Sequence, residues 1–254
     1  MLDTFWEFAL VGFLAQLVDG SLGMGFGVIS SALLLAQGVP PPLVSATVNA
    51  AKLPTGGTAA LSNFYHKNIN WKIAGALALF GSIGGILGAM VLSGLKGQAL
   101  QILVNSYLVA MGLFIVYRGI VGIAPRMPNK GRFRAIGFAG GLIEGIGGSW
   151  GPVVNTGLLG SGVESRYAIG STNFSEFIVS LVVFLALTIS FALGFWGEEM
   201  DWGQIGTTVA GLALGGLPAA FFGGWLAKTA PRRPLTIAVG LFATGVAIWR
   251  FSTM

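Results

Sequence analysis

Apolar residues fill this chain in long blocks separated by short polar breaks, and the blocks are of two kinds. Six are continuous: residues 43–65, 72–94 and 98–121, then 167–196, 203–226 and 234–252. Each has the roughly 20 residues that a helix needs to cross a hydrocarbon core of about 30 Å. Two others, 5–38 and 135–162, are broken by dense glycines at 20–27 and 145–152. Each broken block is followed by three continuous ones. The pattern therefore predicts two halves, 1–121 and 135–254, joined by a linker at 122–134.

The halves also match residue by residue, about 125 positions apart. Asp19-Gly20-Ser21-Leu22-Gly23-Met24-Gly25-Phe26-Gly27 leads to Ala46-Thr47-Val48-Asn49. Glu144-Gly145-Ile146-Gly147-Gly148-Ser149-Trp150-Gly151-Pro152 leads to Gly170-Ser171-Thr172-Asn173. Further on, Asn70-Trp71 matches Asp201-Trp202, and Gly84-Gly85 matches Gly215-Gly216. Paired broken segments at corresponding places in two halves of a membrane protein point to a central transport site.

Composition identifies lipid as the solvent. The chain is 54% hydrophobic and 9% charged, against about 25% charged in a soluble domain. With no cysteine and a single histidine, His66, thiolate chemistry and His-cluster metal sites are excluded, and no cofactor is expected. The net charge of +5 does not imply nucleic acid, because the basic residues fall in short loops where they orient spans. The first residues carry Asp3 and Glu7 and no basic run, so no cleavable signal peptide is expected.

Charge sets the expected topology. The linker carries Arg126, Lys130, Arg132 and Arg134, and the segment Lys228–Arg233 has three basic residues and no acid, so both are expected in the cytoplasm. The loop Glu198-Glu199-Met200-Asp201 lacks basic residues, as an outside loop would. An even number of crossings must then separate the two basic loops. Segments 167–196 and 203–226 supply them, so 135–162 must enter and leave on one face. It is too short for two full spans but long enough for two half-helices meeting at a tip, each of about 13 residues and about 20 Å. Lys96 and Arg250 go against this charge rule. The expected fold is an all-α polytopic membrane protein of two inverted repeats. Each repeat is a re-entrant helical hairpin plus three transmembrane helices, and both termini lie outside. An eight-span arrangement in parallel repeats is the competing count.

Inverted hairpins would bring both glycine-rich tips to the bilayer centre, with second half-helices starting near Gly25–Val28 and Gly151–Val153. Pro152 suits a first helical position. Helix N-termini offer free N–H groups and the positive dipole end to an anion. Gly25, Phe26, Gly27, Ser149, Trp150 and Gly151 are therefore candidate binding residues, with Met24 as a wall. Thr47, Asn49, Ser171 and Asn173 join them as polar groups inside spans, or else tie each span to its own hairpin. Lys52 and Glu176 occupy equivalent places, three residues after Asn49 and Asn173. Ionisable groups inside a membrane are functional by default, so Lys52 and Glu176 are candidates for charge or proton coupling, with a neutral structural pair as the alternative. Asp19 and Glu144 are expected to cap the N–H groups at the hairpin tips. Gly84, Gly85, Gly88, Gly215 and Gly216 read as helix-packing glycines. Trp71, Trp196 and Trp202 read as an interfacial belt. Gly147-Gly148-Ser149-Trp150-Gly151 fits the G-x-S-x-G pattern, but it lacks the strand-to-helix elbow and the base that a serine hydrolase needs.

The acid-Gly segments around Asp19–Gly27 and Glu144–Pro152, the two small-hydroxyl-x-Asn signatures and the duplication together give a resemblance. The chain resembles the TauE/SafE family of membrane permeases, the sulfite exporter group also called toluenesulfonate uptake permeases. That resemblance implies transport of sulfite, sulfoacetate, thiosulfate or organosulfonates across a bacterial or archaeal inner membrane. The expected function is a secondary transporter rather than an enzyme. Its partners would be a small anion, the lipid bilayer and protons, and one repeat would rock against the other. An anion channel with the same hairpins and an intramembrane hydrolase using Ser149 are the rivals.

Overall fold

The computed structural model describes residues 2–122, 130–196, 202–229 and 231–253, with the side chains at 2–4, 20, 130–131, 202–204, 221–229 and 232 outside that description. Arg126, the loop at Glu198–Asp201, and the side chains of Lys130, Trp202, Lys228 and Arg232 therefore lie outside the described residues.

Ten helices account for the described chain. They are α1 (Leu2–Leu22), α2 (Phe26–Ala36), α3 (Pro41–Tyr65), α4 (Trp71–Gly94), α5 (Gly97–Val121), α6 (Lys130–Gly147), α7 (Trp150–Gly160), α8 (Ser165–Ala192), α9 (Trp202–Thr229) and α10 (Arg232–Ser252). The broken blocks break where the glycines fall. Gly23, Gly25 and Gly148 sit at φ of 69°, 147° and 70°, a region that costs glycine little and other residues much. Helix α7 begins at Trp150, so Pro152 takes its third position rather than the first. It remains in the first turn, where a missing N–H breaks no intrahelical bond.

The hairpins are less even than two half-helices of equal length. Their first arms run 21 and 18 residues, and their second arms 11 each. Helix α6 starts at Lys130, so the end of the expected linker is already helical. Among the described residues, four helices are long and apolar enough to cross a membrane: Trp71–Gly94, Gly97–Val121, Ser165–Ala192 and Arg233–Ser252. Helix α3 has the length, at 25 residues. It falls short in hydropathy because Ser45, Thr47, Asn49, Lys52 and Thr55 are buried along it. It is paid for inside the protein, not in lipid.

Packing is reciprocal between the halves. The first arm α1 packs most extensively on α9, and α6 packs most extensively on α4. Helices α5 and α10 pair with each other, as do α3 and α8. Glycine makes the closest approaches. A Cβ at Gly84 or Gly88 would strike the Phe138 or Leu142 carbonyl of α6, and one at Gly215 would strike the Ala9 carbonyl of α1. Such close crossings supply helix association where lipid removes the hydrophobic drive. Each hairpin's first arm is thus bound to the other half of the sequence. The natural packing units are α1 with α9 and α4 with α6, so the halves of the chain are not separate bodies in space. Outward residues such as Leu79, Ile86 and Met90 are exposed and apolar, as a lipid-facing surface requires.

Candidate functional site

The two hairpin tips meet, and they meet symmetrically. Gly27, second in α2, lies so close to the Gly148 carbonyl that a Cβ there would overlap it. Gly151, second in α7, approaches the Gly23 carbonyl, 2.9 Å from where its Cβ would stand. Ser31 of α2 donates to the Gly147 carbonyl at 2.7 Å, and Asn155 of α7 donates to the Gly23 carbonyl at 3.5 Å. Each tip is therefore closed by glycine and one polar side chain from the opposite hairpin.

Lys52 stands at this junction. Its ammonium donates to Glu144 Oε1 at 2.9 Å and Oε2 at 3.2 Å, to Glu176 Oε1 at 2.9 Å, and to the Gly148 carbonyl at 2.6 Å. It bridges α3 to α6, to α8 and to the second tip. The last carbonyls of a helix have no partner within it and carry its negative dipole end. At the end of α6 they find donors from the first half: Ser45 donates to Gly145 at 2.9 Å and Ser31 to Gly147. The Lys52 cation completes the set.

The two acids at the tips hold the starts of the second arms. Asp19 Oδ1 accepts from the Phe26 N–H at 3.2 Å, and Glu144 Oε2 accepts from the Trp150 N–H at 2.6 Å. Glu144 also accepts from Ser180 at 3.0 Å, so Lys52, the Trp150 N–H and Ser180 all turn on a fully buried carboxylate. The Glu176 side chain is 20% exposed and has Lys52 as its donor. Both N-termini thus already hold an oxyanion, and each is supplied by the protein's own hairpin.

The remaining candidates divide. Asn49 is fully buried, but its amide donates to its own helix at Ser45, 2.8 Å, which leaves Oδ1 as the free atom. Asn173 is half-buried on the helix that carries Glu176. Ser171 does not face the tips: its Oγ accepts from the Asn70 N–H at 3.0 Å and fastens the start of α4. Thr47 lines a small apolar cavity of about 30 Å³ with Phe184, Thr188 and Trp196. Trp150 is buried with its ring against Gly81, and Phe26 is buried as well. Met24 packs on Gly151. Ser149 holds the N-cap position of α7 without capping it, and its hydroxyl makes one long bond, 3.4 Å, to the Gly147 carbonyl. His66 is exposed at the end of α3, bonded to Ser62. Trp196, half-buried beyond the end of α8, donates its indole N–H to Ser93 at 3.2 Å. Arg250 turns inward to Asn105 at 3.0 Å and to the Leu35 carbonyl at the end of α2.

Four participants have no place in the repeat motifs: Ser31, Ser45, Ser180 and Tyr107. The first three are hydroxyls set in largely apolar helices. That is a usable signal, because a hydroxyl in hydrocarbon needs a partner. Tyr107 is 7% exposed and packs its ring on Gly147. Nothing in its own helix sequence marks it.

Several apolar helices of crossing length around a sealed, charged junction define a multi-pass membrane protein. Among such proteins the chain belongs to the sulfite exporter TauE/SafE family of membrane transporters, whose model matches residues 8–250. It is similar to the probable membrane transporter protein YtnM of Bacillus subtilis (strain 168), with 31% identity over 92% of this chain and 78% of the relative. It is also similar to the probable membrane transporter protein ORF9 of Sinorhizobium sp, with 26% identity over 66% of this chain and 60% of that protein. No solved structure matches it.

Proposed function

We propose that this protein is a secondary transporter of small sulfur-containing anions: sulfite, sulfoacetate, thiosulfate or an organosulfonate. The bilayer it crosses is the cytoplasmic membrane, with both termini outside and the two repeats inverted. The substrate site is the junction of the hairpin tips, built from Gly25, Phe26, Gly27, Ser149, Trp150 and Gly151 with Asn49 and Asn173 beside it. The observation that carries this reading is that both second-arm N-termini hold a carboxylate, at Phe26 and at Trp150. A sulfonate or sulfite oxygen asks for the same donors as a carboxylate oxygen. The substrate binds as Asp19 or Glu144 gives up its place and the tips separate. Closed tips in direct contact favour a carrier over a channel, which needs a continuous path. The membership of a transporter family, and a Ser149 hydroxyl that donates to a backbone carbonyl rather than to a base, favour transport over hydrolysis.

Coupling belongs to the same cluster. Lys52 is shared by Glu144 and Glu176, and Asp19 lies within their electrostatic reach. One ammonium among three carboxylates is an excess of negative charge, which supports the proton as the coupling ion and Glu176, the more exposed partner of Lys52, as its carrier.

The test is thermal stabilisation of purified protein in detergent by sulfite, thiosulfate, sulfoacetate, sulfate, acetate and chloride. A ligand at about 100 times its Kd stabilises by about 2.7 kcal/mol. The expected result is a rise with a sulfur oxyanion and not with chloride, reduced in Asn173→Ala and Asn49→Ala. No rise with any of these anions in folded protein overturns the reading.

A further inference from the structure

We infer that Tyr107 is a substrate-binding residue, its hydroxyl donating to an oxygen of the transported anion at the second hairpin tip. This deepens the transport reading above and rests on it.

The Tyr107 hydroxyl is buried and has no hydrogen-bond partner. A buried donor left unpaired is destabilising, so its retention calls for an explanation. Its position supplies one. The hydroxyl lies against Gly147, 2.8 Å from where a Cβ would stand, and the Ser149 hydroxyl interacts with it without forming a well-made hydrogen bond. Ser149 is itself buried, and its one bond is the long one to Gly147. Serine at an N-cap ordinarily spends its hydroxyl on the helix it precedes, and here it does not. One unpaired hydroxyl and one weakly engaged hydroxyl thus stand beside the start of α7, where the dipole and first-turn N–H groups also favour an anion. The cation of Lys52 is within electrostatic reach of Tyr107, as is Glu144.

The chemistry that fits is an oxyanion with several equivalent acceptor oxygens. One takes the N-terminus of α7 as the tips part, and another takes the phenol. At the first tip the neighbouring Asn155 presents an unpaired carbonyl oxygen, an acceptor that repels anion oxygens. The site is therefore asymmetric, on the second hairpin, although the scaffold around it is reciprocal. A glycine at 147 leaves the room that the phenol ring occupies.

The variant Tyr107→Phe tests this, because a structural tyrosine and a ligand-binding one behave in opposite ways. Measured without anion, the variant is expected to melt at the wild-type temperature or above it, since it loses an unpaired donor and keeps the ring. Titrated with sulfite, thiosulfate and sulfoacetate, it is expected to need at least about tenfold more anion for the same stabilisation, the equivalent of about 1.4 kcal/mol. Ser149→Ala is expected to shift the same titration in the same direction. A lower melting temperature without anion overturns the assignment by giving the hydroxyl a structural role. An unchanged titration in Tyr107→Phe, with wild type responding, overturns the assignment alone. No response in wild type removes the transport reading beneath it.

Discussion

Replacing Lys52 by Met removes the one cation at the junction while keeping most of the side-chain volume. Three consequences follow from its contacts. Glu144, fully buried, loses its counter-ion. The Gly148 carbonyl loses its donor. Glu176 loses its partner but is partly open to solvent. Breaking a buried pair by removing one member costs about 3–5 kcal/mol, a large share of a typical total of about 5–15 kcal/mol. At about 2–4 °C per kcal/mol for a chain of this size, the melting temperature should fall by roughly 6–20 °C. Glu144→Gln should cost less than Lys52→Met, because Lys52 keeps Glu176 and the Gly148 carbonyl. Glu176→Gln should cost least, about 0–1 kcal/mol, as partly exposed pairs do. The double variant Lys52→Met, Glu144→Gln removes the charge from both members of the fully buried pair. It should be more stable than the sum of its singles by about 0.5–3 kcal/mol. The assay is thermal unfolding in detergent followed by the helical circular dichroism signal. A Lys52→Met protein within about 0.5 kcal/mol of wild type, the range of ordinary surface changes, would refute the reasoning, and so would strict additivity in the double variant.

Two further outcomes separate packing from binding. Gly27→Ala puts a methyl group into the Gly148 carbonyl and should cost about 3 kcal/mol or more, whereas Gly75→Ala, with open space around it, should be neutral or stabilise by up to about 1 kcal/mol; melting temperatures and folded yield in detergent compare them. Ser171→Ala loses the bond to Asn70 and should cost about 0.5–1.5 kcal/mol with no change in anion-induced stabilisation, so a weakened anion response in that variant would move Ser171 back to the tips.

Much of this molecule is written in its hydrophobic pattern. Lipid as solvent, all-helical architecture and the two glycine-broken segments follow from apolar blocks whose lengths match a bilayer. So do the positions of the breaks, because Gly23, Gly25 and Gly148 adopt backbone angles that few other residues tolerate. That Asp19, Lys52, Glu144 and Glu176 would each need a partner inside the protein was legible for the same reason: charge in hydrocarbon is costly. Pairing was not legible. Equivalent positions suggested Lys52 with Glu176, but only the packed hairpins bring Glu144, from another helix, to the same ammonium. The two small-hydroxyl-x-Asn motifs look alike in sequence and separate in space. Ser171 fastens the start of α4, while Asn49 folds its amide back onto Ser45.

What the sequence determines by itself are the terms each residue carries alone: the transfer free energy of its side chain, the conformational freedom of its backbone, and the helical period. What the tertiary structure decides are the terms that need two distant partners. The binding of α1 to α9 and α6 to α4 is one such term. It depends on backbone contact at glycines from both halves, and no local pattern encodes which glycine stripe meets which. The idle hydroxyl of Tyr107 is another, since an unpaired donor is defined by the whole set of neighbours that fail to reach it.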